Sequence, residues 1–292
     1  MNIYLNHIYL VLSDKTYRSI TGSDFLRTAF PGMERRTTYT AAGESWFGTY
    51  FYGFDNYLEF FSETAGHWQN NAARGWGGLA FSSDEPGGAD YVQQVVRTHL
   101  GYEPTRTLRQ FQGGKNWFYH VRLAEQIGQE SFDAWVMEYH PDVFAQRGLL
   151  VGTHGELSRQ AYLSPFNRPR YVGPGNTAPL ASQPVFKRLI GAELCMRPAA
   201  AGKLAHLLSL FGYSKEDTED GFLLSAHGFQ LRLSIPAGRE EGDTEYFTIR
   251  SLQLEMVRPS VAPVEFVFPI GSRLLLNENQ TATWYFGEPC NP

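Results

Sequence analysis

The sequence predicts a mixed α+β fold built from repeated units, each with the order strand, helix, strand, strand, strand. Three apolar segments are each followed by a helical segment and later by a strand that carries a glutamate. The opening segments are 6–12, 77–81 and 191–196, and the closing segments are 57–61, 135–140 and 252–257. A chain of 292 residues also accommodates three such units and a tail. A repeated supersecondary unit constrains the fold class more strongly than a single motif does.

The first unit begins with the apolar segment 3–12, whose β-branched and aromatic residues favour a strand buried on both faces. Asp14 is placed to cap the following helix, and apolar residues recur along that helix up to Pro31. Three more strands are predicted after the helix, separated by glycine-containing turns, at 36–41, 46–52 and 57–61.

The second unit shows the same order of predicted elements. Its first strand runs through Ala80, and its helix covers 91–100 and ends at Gly101. Its later strands are predicted at 108–112, 116–123 and 132–140.

The composition changes after the second unit, where residues 146–186 are rich in Pro, Gly, Asn, Arg and Ser and show no periodicity. A stretch of this kind indicates a long connector. The third unit follows, with a helix that begins near Pro198, then strands over 221–235 and 246–257 and two tail strands within 264–286. We therefore expect a paired-unit domain at 1–145, a connector at 146–186, and a third unit with C-terminal strands at 187–292.

The composition favours a small molecule or another protein as the partner. The apolar fraction of 42% and the aromatic fraction of 15% exceed those of disordered chains, and the formal charge of −5 argues against nucleic acid and anionic membranes. Cys195 and Cys290 form no paired motif, so neither a disulfide framework nor a thiolate zinc site is indicated. With no signal-peptide pattern and no apolar run of about 18 residues, a cytoplasmic location is expected.

The first unit, with Asn6-His7 at the start of an apolar strand and a glutamate in its last strand at 57–61, resembles the vicinal oxygen chelate superfamily. That superfamily includes glyoxalases, fosfomycin and bleomycin resistance proteins, epimerases and extradiol dioxygenases. Segments 5–12, 36–38 and 57–61 further resemble an uncharacterised bacterial branch of it. The resemblance implies that two units pair their mixed sheets into a glyoxalase-like half-open barrel around a divalent metal.

In the resembling enzymes, a first-strand residue and a last-strand glutamate of each unit hold the metal. Carried over by position, this implies His7 and Glu59 from the first unit and Glu138 from the second. Gly77 stands where the fourth ligand, the first-strand residue of the second unit, would lie. His140, on the same strand face as Glu138, is the candidate to replace that ligand. This set favours Fe(II), Mn(II) or Mg(II), with Zn(II) also possible in chemical terms. Glu138 or Glu59 would be the catalytic proton carrier.

The resemblance thus implies a metal-dependent isomerase, lyase or dioxygenase that acts on a small oxygen-rich or aromatic molecule. The alternative is a non-catalytic protein of the bleomycin-resistance type that sequesters a small molecule, which Gly77 and the aromatic content favour. The third unit would pack on the paired units or build a homodimer. His120 is a candidate to line the same cavity, but its expected role is a cross-strand hydrogen bond, and Glu255 is expected to make no contribution to metal binding. The sequence contains no phosphate-binding loop, dinucleotide fingerprint, nucleophile elbow or HExxH motif.

Overall fold

The structure is a computed structural model that describes residues 1–30, 32–65, 75–128, 131–149, 157–166, 185–235 and 247–287. Two eight-stranded mixed sheets form the framework of the protein. The first sheet consists of β1 (Tyr4–Leu12), β2 (Gly32–Tyr39), β3 (Ser45–Tyr52), β4 (Tyr57–Ser62), β5 (Gly77–Ser82), β6 (Arg106–Gln110), β7 (Asn116–Arg122) and β8 (Phe132–Tyr139). The second sheet consists of β9 (Phe186–Cys195), β10 (Ser214–Thr218), β11 (Gly221–Ala226), β12 (Phe229–Ser234), β13 (Thr248–Met256), β14 (Val264–Val267), β15 (Arg273–Leu276) and β16 (Thr281–Tyr285). The helices are α1 (Asp14–Gly22), α2 (Asp24–Thr28), α3 (Gly88–Leu100), α4 (Ala124–Ile127), α5 (Pro141–Gln146), α6 (Arg159–Leu163) and α7 (Pro198–Leu210).

The first sheet joins two repeated units through its central strands. Its strand order is β2-β3-β4-β1-β5-β8-β7-β6. In each unit the first strand is parallel to the last, β1 to β4 and β5 to β8, whereas β1 and β5 are antiparallel to each other. This arrangement relates the two units by a pseudo-twofold axis and confirms the predicted mixed α+β fold of repeated βαβββ units.

The second sheet repeats the same strand order as β10-β11-β12-β9-β13-β16-β15-β14. Strand β13 is antiparallel to β9, as β5 is to β1, so β13 opens a fourth unit. The expectation that segment 252–257 closes the third unit is therefore wrong, because the parallel partner of β9 is β12. Only residues 257–263 separate β13 from β14, so the fourth unit has no helix at this point.

The two sheets share one apolar core. Helices α1, α3 and α7 contribute fully buried residues to it, among them Ile20, Val92 and Leu204. Trp284 of the second sheet is also fully buried, and its ring meets the ring of Phe60 edge to face at 5.0 Å. Within the described ranges, none of the helices is both long and apolar enough to cross a bilayer.

Hydrogen bonds between a side chain and the backbone also join the two halves. The Asn56 side chain donates from Nδ2 to the Leu189 carbonyl at 3.0 Å and accepts at Oδ1 from the Leu189 N–H at 2.7 Å. Asn56 is buried, so both polar groups of its amide are satisfied across the junction. A turn of the first sheet is thereby fixed against the first strand of the second.

Candidate functional site

A β-bulge in β1 brings two adjacent polar side chains to the concave face of the first sheet. The pairing with β5 shifts between Leu5 and His7, which leaves Asn6 as the extra residue. The Asn6 Nδ2 donates to Ser82 Oγ at 3.0 Å and to Tyr139 Oη at 3.3 Å. In this orientation its Oδ1 lies 2.8 Å from His7 Nδ1 and accepts a hydrogen bond from the protonated Nδ1, because an amide oxygen only accepts. The Nε2 of neutral His7 is therefore left as an acceptor.

Glu59 faces the same cavity as His7. The parallel register places Tyr9 beside Glu59, two residues along from the pair formed by His7 and Tyr57. His7 Nε2 and Glu59 Oε1 are 3.8 Å apart, which is too long for a direct hydrogen bond. The imidazole also stacks on the Tyr57 ring, with 4.4 Å between centroids. The structure thus brings together the two candidate residues of the first unit.

Burial gives the two groups pKa values unlike those in water. It lowers the pKa of His7 to about 3, so the imidazole is neutral at pH 7. It raises the pKa of Glu59 to about 7, although Arg36 and a hydrogen bond with Tyr57 act to lower it. A carboxyl that exchanges its proton near neutral pH in a cavity is suited to acid–base chemistry or to the recognition of a cation.

The cavity around these residues has a volume of about 210 Å³. This is below the about 300–1,000 Å³ typical of ligand sites, so its ligand must be small. Aromatic side chains dominate its wall. The lining residues are His7, Tyr9, Thr40, Trp46, Tyr57, Glu59, Phe61, Arg109, Trp117, Phe118, His120, Asp133, Trp135 and Met137.

The cavity is bounded on one side by a seam between the two edges of the first sheet. Thr40, just after β2, forms an antiparallel bridge with Phe111, just after β6. The Ala41 N–H donates to the Gln110 carbonyl at 3.0 Å, and the carboxylate of Glu44 pairs with Arg109 across the seam. The sheet is therefore curled until its edge strands meet at one end.

Aromatic residues of the predicted connector occupy the rest of the concave face. Tyr162 of α6 stacks on Tyr139 with 4.0 Å between ring centroids. Its hydroxyl accepts from Trp117 Nε1 at 3.0 Å and from an Arg147 terminal nitrogen at 3.1 Å. Phe166 packs in the same cluster. Residues 157–166 thus cover the part of the concave face that lies around Tyr139 and Trp117.

Two further titratable side chains, His120 and Asp133, also line this cavity. His120 was expected to be mainly structural, and Asp133 carries no motif. Burial, together with Arg109 and Arg122, lowers the pKa of His120 to about 3. Burial raises the pKa of the Asp133 carboxyl, while Arg122 acts to lower it. Alternation along β8 from Met137, which lies in the cavity, would have indicated Asp133.

Glu138 does not converge with Glu59, which corrects the expectation that both would hold one metal. Met137 faces the cavity, so its neighbour Glu138 points to the opposite side of β8. Its Oε1 accepts from the Gly87 N–H at 3.0 Å and its Oε2 from the Ala89 N–H at 2.8 Å. The carboxylate therefore caps the N-terminus of α3, where backbone N–H groups have no helical partner.

Like Glu138, His140 lies outside the cavity. It is the N-cap residue of α5, and its Nδ1 accepts from the Asp142 N–H at 3.2 Å. The four-residue set of His7, Glu59, Glu138 and His140 therefore does not fit a metal site in this fold. Among the residues that the structure describes, no group of three His, Cys, Asp or Glu side chains is placed to hold a metal ion.

A packing reason explains why the second unit has no counterpart of His7. Gly77, the residue expected there, faces the core, where a Cβ would lie 2.9 Å from Ile249. Gly78 faces the cavity, but a Cβ on it would lie 2.4 Å from the Tyr9 ring. A side chain at either position would therefore collide with its neighbours.

The helix-capping role of Glu138 leads to a prediction. Replacement by glutamine should lower the free energy of unfolding by about 1–2 kcal/mol, because a neutral amide replaces a charged acceptor of two helix N–H groups. Urea unfolding followed by circular dichroism measures this change. Ligand binding in the cavity should be unaffected, and a loss of binding with unchanged stability would contradict the capping assignment.

Comparisons with known proteins agree with the fold and identify the family. A crystal structure of a hypothetical protein from Staphylococcus aureus is similar with a TM-score of 0.52 and 9% identity, over 91% of this chain and 96% of that one. A fusion of a xylose isomerase-like TIM barrel with 4-hydroxyphenylpyruvate dioxygenase has a TM-score of 0.43 and 10% identity, over 88% of this chain and 36% of that one. A similarity at this level supports no conclusion about this chain. No curated protein matches the chain. The family of unknown function DUF5829 matches residues 5–286, so the chain belongs to that family.

Proposed function

We propose that the protein binds a small aromatic amine in the cavity of the first sheet, as a binding protein of the vicinal oxygen chelate superfamily. The paired βαβββ units support the superfamily assignment. The observation that carries the function is Glu59, a carboxyl with a side chain only 13% exposed, in a cavity whose walls are mostly aromatic. Isolated carboxyls are rarely buried without a partner of opposite charge.

The charges and rings of the cavity favour a cation over an anion. Glu59 contributes a carboxyl that has no ion pair with Lys or Arg among the described residues, whereas Asp133 is paired with Arg122 and Arg109 is paired with Glu44. Trp46 and Trp135 present indole rings, which attract organic cations through their π faces. An aromatic ring carrying an ammonium group would satisfy both features, because the ring packs against the indoles while the ammonium meets Glu59.

A divalent metal ion held by His7 and Glu59 is the second candidate, and it would belong to a metal-dependent enzyme. The orientation of His7 favours it, because its Nδ1 is bonded to Asn6 and its Nε2 faces Glu59 at 3.8 Å, as in metal-bound histidines with an outer hydrogen-bond partner. Two protein ligands would leave positions for substrate oxygens, which such an ion would polarise as a Lewis acid.

Isothermal titration calorimetry distinguishes the two candidates. Tryptamine and phenethylamine should bind, whereas indole-3-acetate and phenylacetate should not. Glu59→Gln should weaken amine binding at least tenfold, or by about 1.4 kcal/mol, and Glu138→Gln should leave it unchanged. Failure of both amines to bind, or equal binding to the Glu59 variant, would exclude the first candidate. Titration with Mn(II) tests the second, which requires binding that His7→Gln abolishes.

A further inference from the structure

A second cavity, of about 320 Å³, lies where the two sheets and the connector meet. The first sheet contributes Tyr4 and Asp55, the second sheet contributes Arg188 and His227, and the connector contributes Arg159. Cavities at the junction of structural units are preferred places for small ligands. This cavity shares none of its lining residues with the cavity of Glu59.

Arg159 is a fixed part of the wall. It is 7% exposed, and its Nε donates to Asp84 Oδ1 at 2.9 Å. One terminal nitrogen donates to the Leu5 carbonyl at 2.8 Å and to the Asp55 carbonyl at 3.3 Å. Its charge is therefore balanced by Asp84, and its donors are used to join the connector to the first sheet.

The carboxylate of Asp55, unlike the guanidinium of Arg159, is not fully hydrogen-bonded within the described residues. Its side chain is 16% exposed, and its Oδ1 receives no hydrogen bond from the part of the chain that the structure describes. Its Oδ2 lies 3.7 Å from an Arg188 terminal nitrogen, beyond hydrogen-bond distance. Burial raises the pKa of this carboxyl even though Arg159 and Arg188 act to lower it. A buried acceptor without a donor is destabilising, and a ligand that donates to this carboxylate would offset that cost.

The Arg188 guanidinium stands beside this carboxylate. Its Nε donates to Glu255 at 2.6 Å, which holds the side chain in place. Its two terminal nitrogens each lie 3.5 Å from the point where a Cβ on Gly228 would be, and Gly228 has a φ of +74°. The turn that packs against Arg188 therefore has a glycine at the position whose positive φ favours one. The Arg188 guanidinium lines the cavity next to this turn.

We propose that this second cavity binds a free α-amino acid, with its ammonium group on Asp55 and its carboxylate on Arg188. The two protein charges are adjacent and of opposite sign, as the two charges of an α-amino acid are. The four charged side chains Asp55, Asp84, Arg159 and Arg188 sum to zero, which suits a zwitterion better than a net cation or anion. The rings of Tyr4 and His227, with centroids 4.5 Å apart, would face the amino-acid side chain.

Binding at this place would also join the two halves of the molecule. Asp55 belongs to the β3–β4 turn of the first sheet, whereas Arg188 belongs to β9 of the second. A ligand that contacts both binds only when the junction is formed, so it stabilises the folded chain by mass action. Amino-acid binding should therefore appear as an increase in melting temperature.

The test screens the twenty L-amino acids individually at millimolar concentration by thermal shift and then measures affinity by calorimetry. At least one should raise the melting temperature of the wild-type chain. Asp55→Asn should weaken its binding at least tenfold, and Glu59→Gln should leave it unchanged. On the Glu59→Gln chain, whose first cavity should not retain an amine, the N-acetyl derivative and the decarboxylated amine of the same amino acid should both fail to bind, which tests the two contacts without changing a residue of the second cavity.

Three results would overturn the proposal. The first is that no amino acid binds the wild-type chain. The second is that the N-acetyl derivative or the decarboxylated amine binds the Glu59→Gln chain as well as the amino acid does. The third is that Glu59→Gln, rather than Asp55→Asn, abolishes binding, which would place the ligand in the first cavity. Because Glu59→Gln removes the contribution of the first cavity from these comparisons, the two proposals succeed or fail separately.

Discussion

Replacing Arg159 with methionine is expected to lower the free energy of unfolding by about 3–5 kcal/mol, because it leaves the partly buried Asp84 carboxylate without its partner. The guanidinium donates to Asp84 and to the Leu5 and Asp55 carbonyls, and it lies 4.1 Å from the centre of the Tyr4 ring. A single side chain therefore connects α6 to the first strand and to a turn of the first sheet.

Urea unfolding followed by circular dichroism measures this effect, and Arg97→Met is the matched control. The pair of Arg97 and Glu103 has side chains 59% and 50% exposed, so its loss should cost less than about 1 kcal/mol. The near-ultraviolet spectrum should also change in the Arg159 variant, because α6 holds Tyr162 against Tyr139 and Trp117. A cost as small as that of the control would show that the α6 segment is held by its aromatic contacts alone.

The sequence was sufficient for the repeated architecture but not for the second half of the chain. In the first two units, helices with clear apolar patterns separate the first strand from the others, so the order of elements could be predicted. The fourth unit has only residues 257–263 between β13 and β14, and without a helix it has no such marker. Strands β11 and β12 were predicted as one segment because their turn, His227-Gly228, lacks the Asn-Gly or Asp-Gly pattern typical of a two-residue hairpin.

The candidate site could be predicted only where strand alternation was unambiguous. Glu59 lies on the cavity face, and the resemblance placed it correctly beside His7. Glu138 has similar apolar neighbours in the sequence, yet it faces α3, because a shift of one residue moves a strand side chain to the other face. Sequence spacing across a long loop does not determine that register. Nor does the sequence reveal the bulge at Asn6, which depends on pairing with a strand more than seventy residues away.

The two sheets have the same strand order, although β13 and β16 are antiparallel where β5 and β8 are parallel, and the chemistry of their open faces differs. In the second sheet Glu255 accepts from Lys187 and from Arg188, each at 2.6 Å, so its carboxylate is neutralised within the fold. In the first sheet Glu59 has no ion pair with Lys or Arg among the described residues. A carboxylate that is paired inside the fold has less to gain from a ligand than one that is buried without a cation. The first sheet is therefore the half suited to a small organic cation.

Replacing Glu59 with glutamine is expected to make the protein more stable above pH 7, by on the order of 3 kcal/mol at most. The Glu59 carboxyl has a pKa of 4.5 in the unfolded chain and about 7 in the folded protein. Because the folded state holds this proton more strongly, the contribution of Glu59 to stability is complete below pH 4.5 and is lost as the pH rises through 7. Glutamine keeps the size of the side chain and has no proton to lose.

The measurement compares urea unfolding of the wild type and the variant from below pH 4.5 to above pH 7. The difference between the two proteins is needed because His7, with a pKa lowered from 6.5 to about 3, loses stability as the pH falls and partly cancels Glu59 in the wild type. Glu255→Gln is the control of opposite sign: burial acts to raise the Glu255 pKa, but hydrogen bonds from Lys187 and Arg188 lower it overall. At high pH the Glu255→Gln variant should be less stable than the wild type, because the ion pairs of Glu255 with Lys187 and Arg188 are lost. If both differences have the same sign and the same dependence on pH, Glu59 is not a buried carboxyl without a cation, and its proposed role in ligand recognition fails with it.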